Sequence, residues 1–342
     1  MPDDQASNNL PAPIVEALSG IPKALLPASL KALDRLVGAA IDIPVAWLGQ
    51  HKAKIDAQTE AYKSVEAAIA KTAATEAGAD SEIVQRALDV LVRKQYRKQS
   101  NREAVATAMI EDLSVTPGEQ HSTGASASEP PTSLPLDEDW LNVFERYAED
   151  ASTERMQKLW GRVIAGEVRK PGRYSLRTLR FLSEFSQADA LTFAEFANNA
   201  FSDFAPKKLV SAEGQDIRQL IYLESSGLIQ GATGFGLSRN MTFNSQGLTW
   251  TREGTLIIFF RGAPNGKVES EGCVLTPLGQ ELVSLLPGRD PRAAARRVAT
   301  AIRSPEIESA QLCVAAPNDQ WLVMETFWSK DTPSPYSTNQ AP

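Results

Sequence analysis

The chain has 342 residues, 42% of them hydrophobic and 23% charged, with a formal net charge of −7. This is ordinary globular usage, which excludes wholesale disorder, a collagen-like repeat or a disulfide-stapled miniature. The acidic total opposes indiscriminate binding to nucleic acid or anionic lipid, so any polyanion site has to be a local basic patch. At this length two or three folding units are expected.

The first residues, Met1 to Asn9, hold no cationic stretch ahead of an apolar one. No secretory signal is expected, and the chain reads as cytoplasmic. Ile14 to Leu48 is rich in Ala, Leu and Ile but broken by Pro22, Pro27 and Pro44, which predicts short helices separated by bends. Within it, Leu30, Leu33, Leu36, Val37 and Ala40 recur at three- and four-residue spacing, the pattern of an amphipathic helix over Ser29 to Ile41. The apolar stretch Leu36 to Leu48 is interrupted by Asp42 and Pro44 and is shorter than the ~20 residues of a spanning helix. No transmembrane span is expected, while peripheral membrane contact through residues 14–48 stays open. His51 to Ala77 and Ser81 to Ser114 predict two more helices whose thin apolar faces need cover from the rest of the chain or from another copy.

Thr116 to Pro135 is almost wholly Pro, Gly, Ser, Thr, Ala and polar residues, too poor in apolar surface to offset the entropy of ordering. It reads as a flexible tether. Strong helical period then returns with Trp140, Phe144 and Tyr147, followed by Met156, Leu159, Trp160, Val163 and Ile164, predicting two core-facing helices. Gly166 and the Pro171-Gly172 turn are expected to end the second. Ser175 stands as N-cap ahead of Leu176, Leu179, Leu182 and Phe185, and Ser186 caps a further helix through Phe201. Asp216 to Ile229 is a helix closing at Gly227. Leu248 to Gly262 is a β-type run around Leu256 to Phe260, and Asn265-Gly266 turns a hairpin into Val268 to Val274. Thr276 opens a helix with Leu278, Leu282, Leu285 and Leu286. A basic helix from Pro291 to Ile302 precedes two strands, Ala310 to Ala316 and Trp321 to Phe327, and a disordered tail after Lys330.

The stretches Leu159-Trp-Gly-Arg-Val-Ile-Ala-Gly-Glu-Val168 and Lys170-Pro-Gly-Arg-Tyr-Ser-Leu-Arg-Thr-Leu-Arg180, continuing to Ala190, resemble the bacterial domain of unknown function 2806 family, firmly over Asp137 to Phe201. That family carries no established activity. The Ala- and Lys-rich amphipathic first half is similar to abortive-infection proteins of phage defence, which implies such a role by analogy alone. Ile221-Tyr-Leu-Glu-Ser-Ser-Gly-Leu-Ile229 and Cys273-Val-Leu-Thr-Pro-Leu-Gly-Gln-Glu-Leu282 resemble winged-helix domains, in which a helix ends at the glycine, a wing hairpin follows and Thr caps the last helix. The expected architecture is therefore mainly α with a smaller α+β C-terminal part. It comprises a helical amphipathic region (1–115), a linker (116–136), a central helical module (137–205), a winged-helix-like region (206–330) and a tail (331–342).

Three basic clusters are candidate anion sites: Arg93, Lys94, Arg97 and Lys98; Arg169, Lys170, Arg173, Arg177 and Arg180; and Arg289, Arg292, Arg296 and Arg297. The middle one is the best placed for an anion or nucleic acid, because Arg173 lies beside a predicted helix N-terminus with free backbone amides. Solvated faces and internal ion pairs are the competing reading of all three. His51 and His121, the only histidines, have no positioned partner. Cys273 and Cys313 sit in apolar settings that suit small buried hydrophobes. No Cys/His set has metal-ligand spacing, and no metal or cofactor is expected. Gly231 to Gly236 matches neither a Walker loop nor a dinucleotide fingerprint and reads as a turn. These residues point to a non-enzymatic interaction or effector protein that binds a protein partner or its own copy. The alternative is a nucleic-acid-binding regulator that uses the middle cluster and the wing. A carboxylate-dependent hydrolase or nuclease is the third reading, since acidic convergence is invisible in one dimension.

Overall fold

The computed structural model describes residues 20–37, 81–114, 135–212, 217–233, 237–316 and 320–330. The expected helix over His51 to Ala77, both histidines, nearly all of the tether and the tail after Lys330 lie outside them. Among the described residues, those up to Leu179 form one compact unit and those from Arg180 onward another. Helices of the expected 137–205 module thus contribute to both.

The first unit is helical. After a 3-10 turn at Lys23–Leu25, α1 runs over Leu26–Val37, starting one turn earlier than the spacing suggests because Pro27 fits the first turn, where no intrahelical N–H is needed. Of the predicted stripe, Leu36 is buried and Leu30, Leu33 and Val37 are half-buried, with Ala32 buried beside them, and Ala40 lies outside the described residues. The long α2 (Ser81–Ser114), α3 (Glu138–Glu149) and α4 (Glu154–Arg169) complete the packing. Asp137 and Thr153 cap α3 and α4 by accepting from Trp140 N and Met156 N, as short oxygen-bearing side chains do at helix starts.

Trp140 stacks on Phe144 at 5.2 Å, and Trp160 meets Phe144 edge-on at 5.7 Å and stacks on Tyr147 at 5.5 Å. The predicted apolar face is therefore a continuous aromatic core. Gly161 lets α4 ride directly on α2: a Cβ there would lie 2.5 Å from that of Ala108. The second predicted helix does not end at Gly166. It runs on to Arg169, with Gly166 making room for the Tyr174 ring, 2.7 Å from where a Cβ would stand.

The second unit contains the rest of α5 (Leu176–Glu184) and α6 (Gln187–Asn198), the latter opened by a Ser186/Asp189 capping box. The chain continues through β1 (Phe204–Pro206), α7 (Lys207–Ala212), α8 (Ile217–Ser225), β2 (Ile229–Gln230), β3 (Leu237–Thr242), β4 (Leu248–Glu253), β5 (Leu256–Gly262) and β6 (Lys267–Leu275). It closes with α9 (Pro277–Val283), α10 (Pro291–Ile302), β7 (Ile307–Ala316) and β8 (Gln320–Ser329). Gly227, at φ 76°, ends α8 as expected, and Thr276 caps α9 through Gly279 N at 3.1 Å.

All strand pairs are antiparallel and fall into two sheets. In one, β6 lies between β1 and β2, with β3 also paired to β6. The other has the order β4-β5-β7-β8. The hairpin expected at Asn265-Gly266 is corrected here. Asn265 does adopt a positive φ of 57°, but the strand after it pairs with β3, Met241 opposite Val268, and the turn carries the chain from one sheet to the other. A core of Phe201, Phe204, Phe243, Ile258, Phe260, Val298, Ile302, Ile307, Leu312 and Trp328 is shared by the two sheets and α10.

Cys273 and Cys313 are buried free thiols. Burial pushes the Cys273 thiol up to about 11, so the thiolate that reacts with electrophiles is scarce at neutral pH. Alkylation of Cys273 by iodoacetamide at pH 8 is expected to be far slower in the native protein than in denaturant. Equal rates in a stopped-time mass-spectrometric assay would contradict the burial.

Candidate interaction surfaces

The cationic turn after α4 is organised by a buried carboxylate. Glu167 accepts from Gly172 N at 2.5 Å and Tyr174 N at 3.1 Å, and Gly172 takes the positive φ of 79° that the tight turn requires. Ser175 caps α5 by accepting from Thr178 N at 3.3 Å. The five residues singled out in the sequence have different fates. Arg169 turns inward to Asp112, with Nη1 2.5 Å from Oδ1 and a second hydrogen bond to the Asp112 carbonyl. Arg173 lies over the Tyr174 ring at 5.4 Å. Lys170 and Arg177 are exposed, as is Arg180, which stands 3.7 Å from Glu184 in a weak helical pair.

In the other two basic clusters four of the eight residues stand in ion pairs, while Lys94, Arg97 and Arg292 are exposed. Arg93 pairs with Asp89 at 2.8 Å and Lys98 with Glu149. Arg289 is buried against Glu253, and Arg296 forks onto Glu325 at 2.6 and 2.8 Å. The half-buried carboxylates Asp112, Glu253 and Asp203 likewise face arginines, while the buried Glu167 and the half-buried Glu224 face backbone amides. Among the described residues, no group of three or more His, Cys, Asp or Glu is placed to hold a metal ion. An open cleft of about 430 Å³ beside α7, β6 and the end of α10 is lined by Lys207, Lys208, Glu271 and Arg303, of which Lys207 is bridged to Glu271 at 2.8 Å.

Gly231, Ala232 and Thr233 form the described part of the glycine-rich loop, and their three N–H groups converge on the Glu224 carboxylate at 2.7, 3.2 and 2.9 Å. The loop is thus a turn closed by its own acid. Burial pushes the Glu224 carboxyl up, but the Thr233 side chain and the three amides outweigh it and hold the group below its ordinary range. A depressed carboxyl stabilises the fold above its unfolded pKa and loses that contribution as pH falls through the folded value. Acidification is therefore expected to destabilise the wild-type unit more steeply than Glu224→Gln, and parallel acid limbs in melting curves across pH would refute the assignment.

Among the described residues, exposed large apolar side chains gather on several surfaces, three of which bear on interaction. On the first turns of α2, Ile83, Val90 and Leu91 are 57, 65 and 52% exposed, with Tyr96 beyond them. On α8, Ile217, Ile221 and Tyr222 are exposed, and the Tyr222 hydroxyl donates to Asp189 on α6 at 2.6 Å. On the β4-β5-β7-β8 sheet, Trp250, Phe259 and Trp321 form a row, with ring centroids 6.1 and 5.8 Å apart. The β-type reading of Leu248 to Gly262 did not isolate this row. Its signal was the repeated alternation Leu248-x-Trp250-x-Arg252 and Ile257-x-Phe259-x-Arg261, which a shared face makes visible only once the register is known. No helix among the described residues is long and apolar enough to cross a membrane.

No curated protein and no solved structure matches the chain. A family model described as protein of unknown function (DUF2806) matches residues 85–253, from the first turns of α2 to the last residue of β4. The match takes in the Leu159 to Val168 and Lys170 to Ala190 stretches, the aromatic core of α3 and α4 and the helices up to α8, and over that segment the chain belongs to the DUF2806 family.

Proposed function

We propose that this chain is a non-enzymatic interaction protein, in which the helical N-terminal half engages a protein partner, a second copy included, and the C-terminal unit is a winged-helix-like module that regulates or assembles it. The observation that carries the reading is the apolar stripe Ile83, Val90 and Leu91 on α2. These residues lie at the seven- and eight-residue spacing of one helix face, and uncovered they lose the burial free energy of three large side chains. The winged-helix reading draws support from β6 lying between β1 and β2, from the α8 end at Gly227, and from the β3/β6 pair followed by the Thr276 cap. The open face of α8 favours protein contact over phosphates, because Ile217, Ile221 and an acid-bonded Tyr222 occupy it.

The test is native cross-linking with mass spectrometry on the full chain, beside light scattering over a range of concentrations. Intermolecular links from α2, abolished in Ile83→Glu/Val90→Glu/Leu91→Glu with an unchanged melting temperature, are the expected result. Links from α2 that stay within one chain would sink the proposal.

The second reading, a nucleic-acid-binding regulator, is favoured by the exposure of Lys170, Arg177 and Arg180 around the start of α5. Salt-sensitive duplex binding that Arg173→Ala/Arg177→Ala weakens would select it. A place in phage defence rests on resemblance alone, and a deletion strain with unaltered phage plating would remove it.

A further inference from the structure

We infer that the outer face of the β4-β5-β7-β8 sheet is a binding platform for single-stranded nucleic acid, with Trp250, Phe259 and Trp321 stacking bases and Arg252 and Arg261 meeting phosphates. The register places Leu248, Trp250 and Arg252 of β4 beside Arg261, Phe259 and Ile257 of β5 on one face. The same face continues through Gln311 and Cys313 of β7 to Thr326 and Val323 of β8, and the Gln311–Thr326 hydrogen bond at 3.2 Å lies on it. Phe260, Ile258 and Leu312 point the other way, into the core.

Trp250 is 58% exposed and Trp321 41%. On this face Ile257 and Cys313 are buried and Phe259 is half-buried between the two tryptophans, while the exposed parts of both indoles offer flat surface to unstacked bases. The charges on this face decide which partner fits. The chain carries a net −7, yet among the described residues no aspartate or glutamate occupies a paired position on this face, since Glu253 and Glu325 point to the inner side toward Arg289 and Arg296. The two exposed arginines stand at opposite ends of the Trp250–Phe259 pair, about 13 Å apart along the strands. Arg252 Nε is held by the Gly254 carbonyl at 2.7 Å, which fixes the side chain while leaving its terminal nitrogens for an anion. An aromatic row bracketed by cations, with no carboxylate at its described paired positions, complements an extended polyanion with exposed bases. A duplex hides those bases in its stack and takes little from such a face.

The full-length protein is titrated at low salt against fluorescein-labelled oligo-dT, oligo-U and a duplex of equal length, and its sedimentation is followed in parallel. Expected results are tighter binding to the single strands than to the duplex and a loss of roughly 10-fold or more in affinity for Trp250→Ala and for Trp321→Ala, with the Trp→Phe forms recovering most of it. Arg252→Gln and Arg261→Gln should each lower the slope of log K against log salt by roughly 0.7. All these sites are exposed, and an unchanged melting temperature verifies that each variant folds. No binding at low salt overturns the proposal, as does binding that ignores both tryptophans. A concentration-dependent dimer that Trp250→Ala dissolves also overturns it, by assigning the face to a second copy. The α2 variants that test the interaction reading leave this site intact, so the two proposals fail separately.

Discussion

Replacing Arg289 by methionine is expected to destabilise the C-terminal unit by about 3–5 kcal/mol, the cost of leaving one member of a buried ion pair alone. Arg289 is 7% exposed. Its guanidinium grips both oxygens of Glu253, and its remaining donors reach the Ala197 carbonyl at 3.0 Å and the Ala200 carbonyl at 2.8 Å. These carbonyls sit at and just beyond the C-terminal end of α6, where backbone oxygens lack helical partners and a cation is favoured. Glu253 in turn accepts from Ser202 N at 2.7 Å, so one arginine ties the last residue of β4 to the chain leaving α6. Lysine is not expected to rescue, because a single ammonium cannot match the planar fork on the carboxylate and both carbonyls together. The double variant Arg289→Met/Glu253→Leu should recover part of the loss by removing the stranded charge. Hydrogen exchange in the β4 and α6 peptides reads the effect in this unit separately, which matters because two units need not unfold as one. Wild-type protection in Arg289→Met would show that the pair is dispensable.

Trp160→Ala should cost the helical unit about 3–5 kcal/mol. The indole is 1% exposed and touches Phe144 edge-on and Tyr147 face-on, so truncation leaves a void between α3 and α4. Collapse into that void is hindered from the far side, where Gly161 already brings α4 against Ala108 of α2. Trp160→Phe should keep more than half of the stability, since an aromatic plate would still face Tyr147. The denaturation midpoint followed by far-ultraviolet circular dichroism, dominated by these helices, is the measurement. A shift below 1 kcal/mol in the alanine variant would mean that the site repacks freely.

Helices were legible in the sequence because their information is local. The period of Trp140, Phe144 and Tyr147 and the caps Ser175, Ser186 and Thr276 each lie within a turn or two of what they control. Strand partners were not legible. Asn265-Gly266 has the chemistry of a hairpin turn, but only the far register of β3 against β6 shows which strands it separates. The fates of the basic side chains were hidden for the same reason. Arg169 and Arg289 look alike in composition to Lys170 and Arg177, and what distinguishes them is a carboxylate 57 residues away in one case and 36 in the other. Of the candidate surface features, the cationic turn was anticipated, whereas the aromatic row required two strands to be aligned before its members became neighbours.

The central position of β6 also sets the order in which the C-terminal unit forms. β1, β2 and β3 all pair with this one strand, and β4 and β5 intervene before it is reached. During synthesis the helices through α4 can pack on one another before any strand emerges, while the first three strands emerge with open edges and wait for residues 267–275. Such delayed, long-range closure is slow and prone to association. A fragment cut at Glu253, where the family match stops, would keep β1 to β4 but leave them without β5 and β6, exposing strand edges of the kind that nucleate aggregates. Recombinant pieces of this protein should therefore extend at least through β8, whose pairing with β7 completes the second sheet.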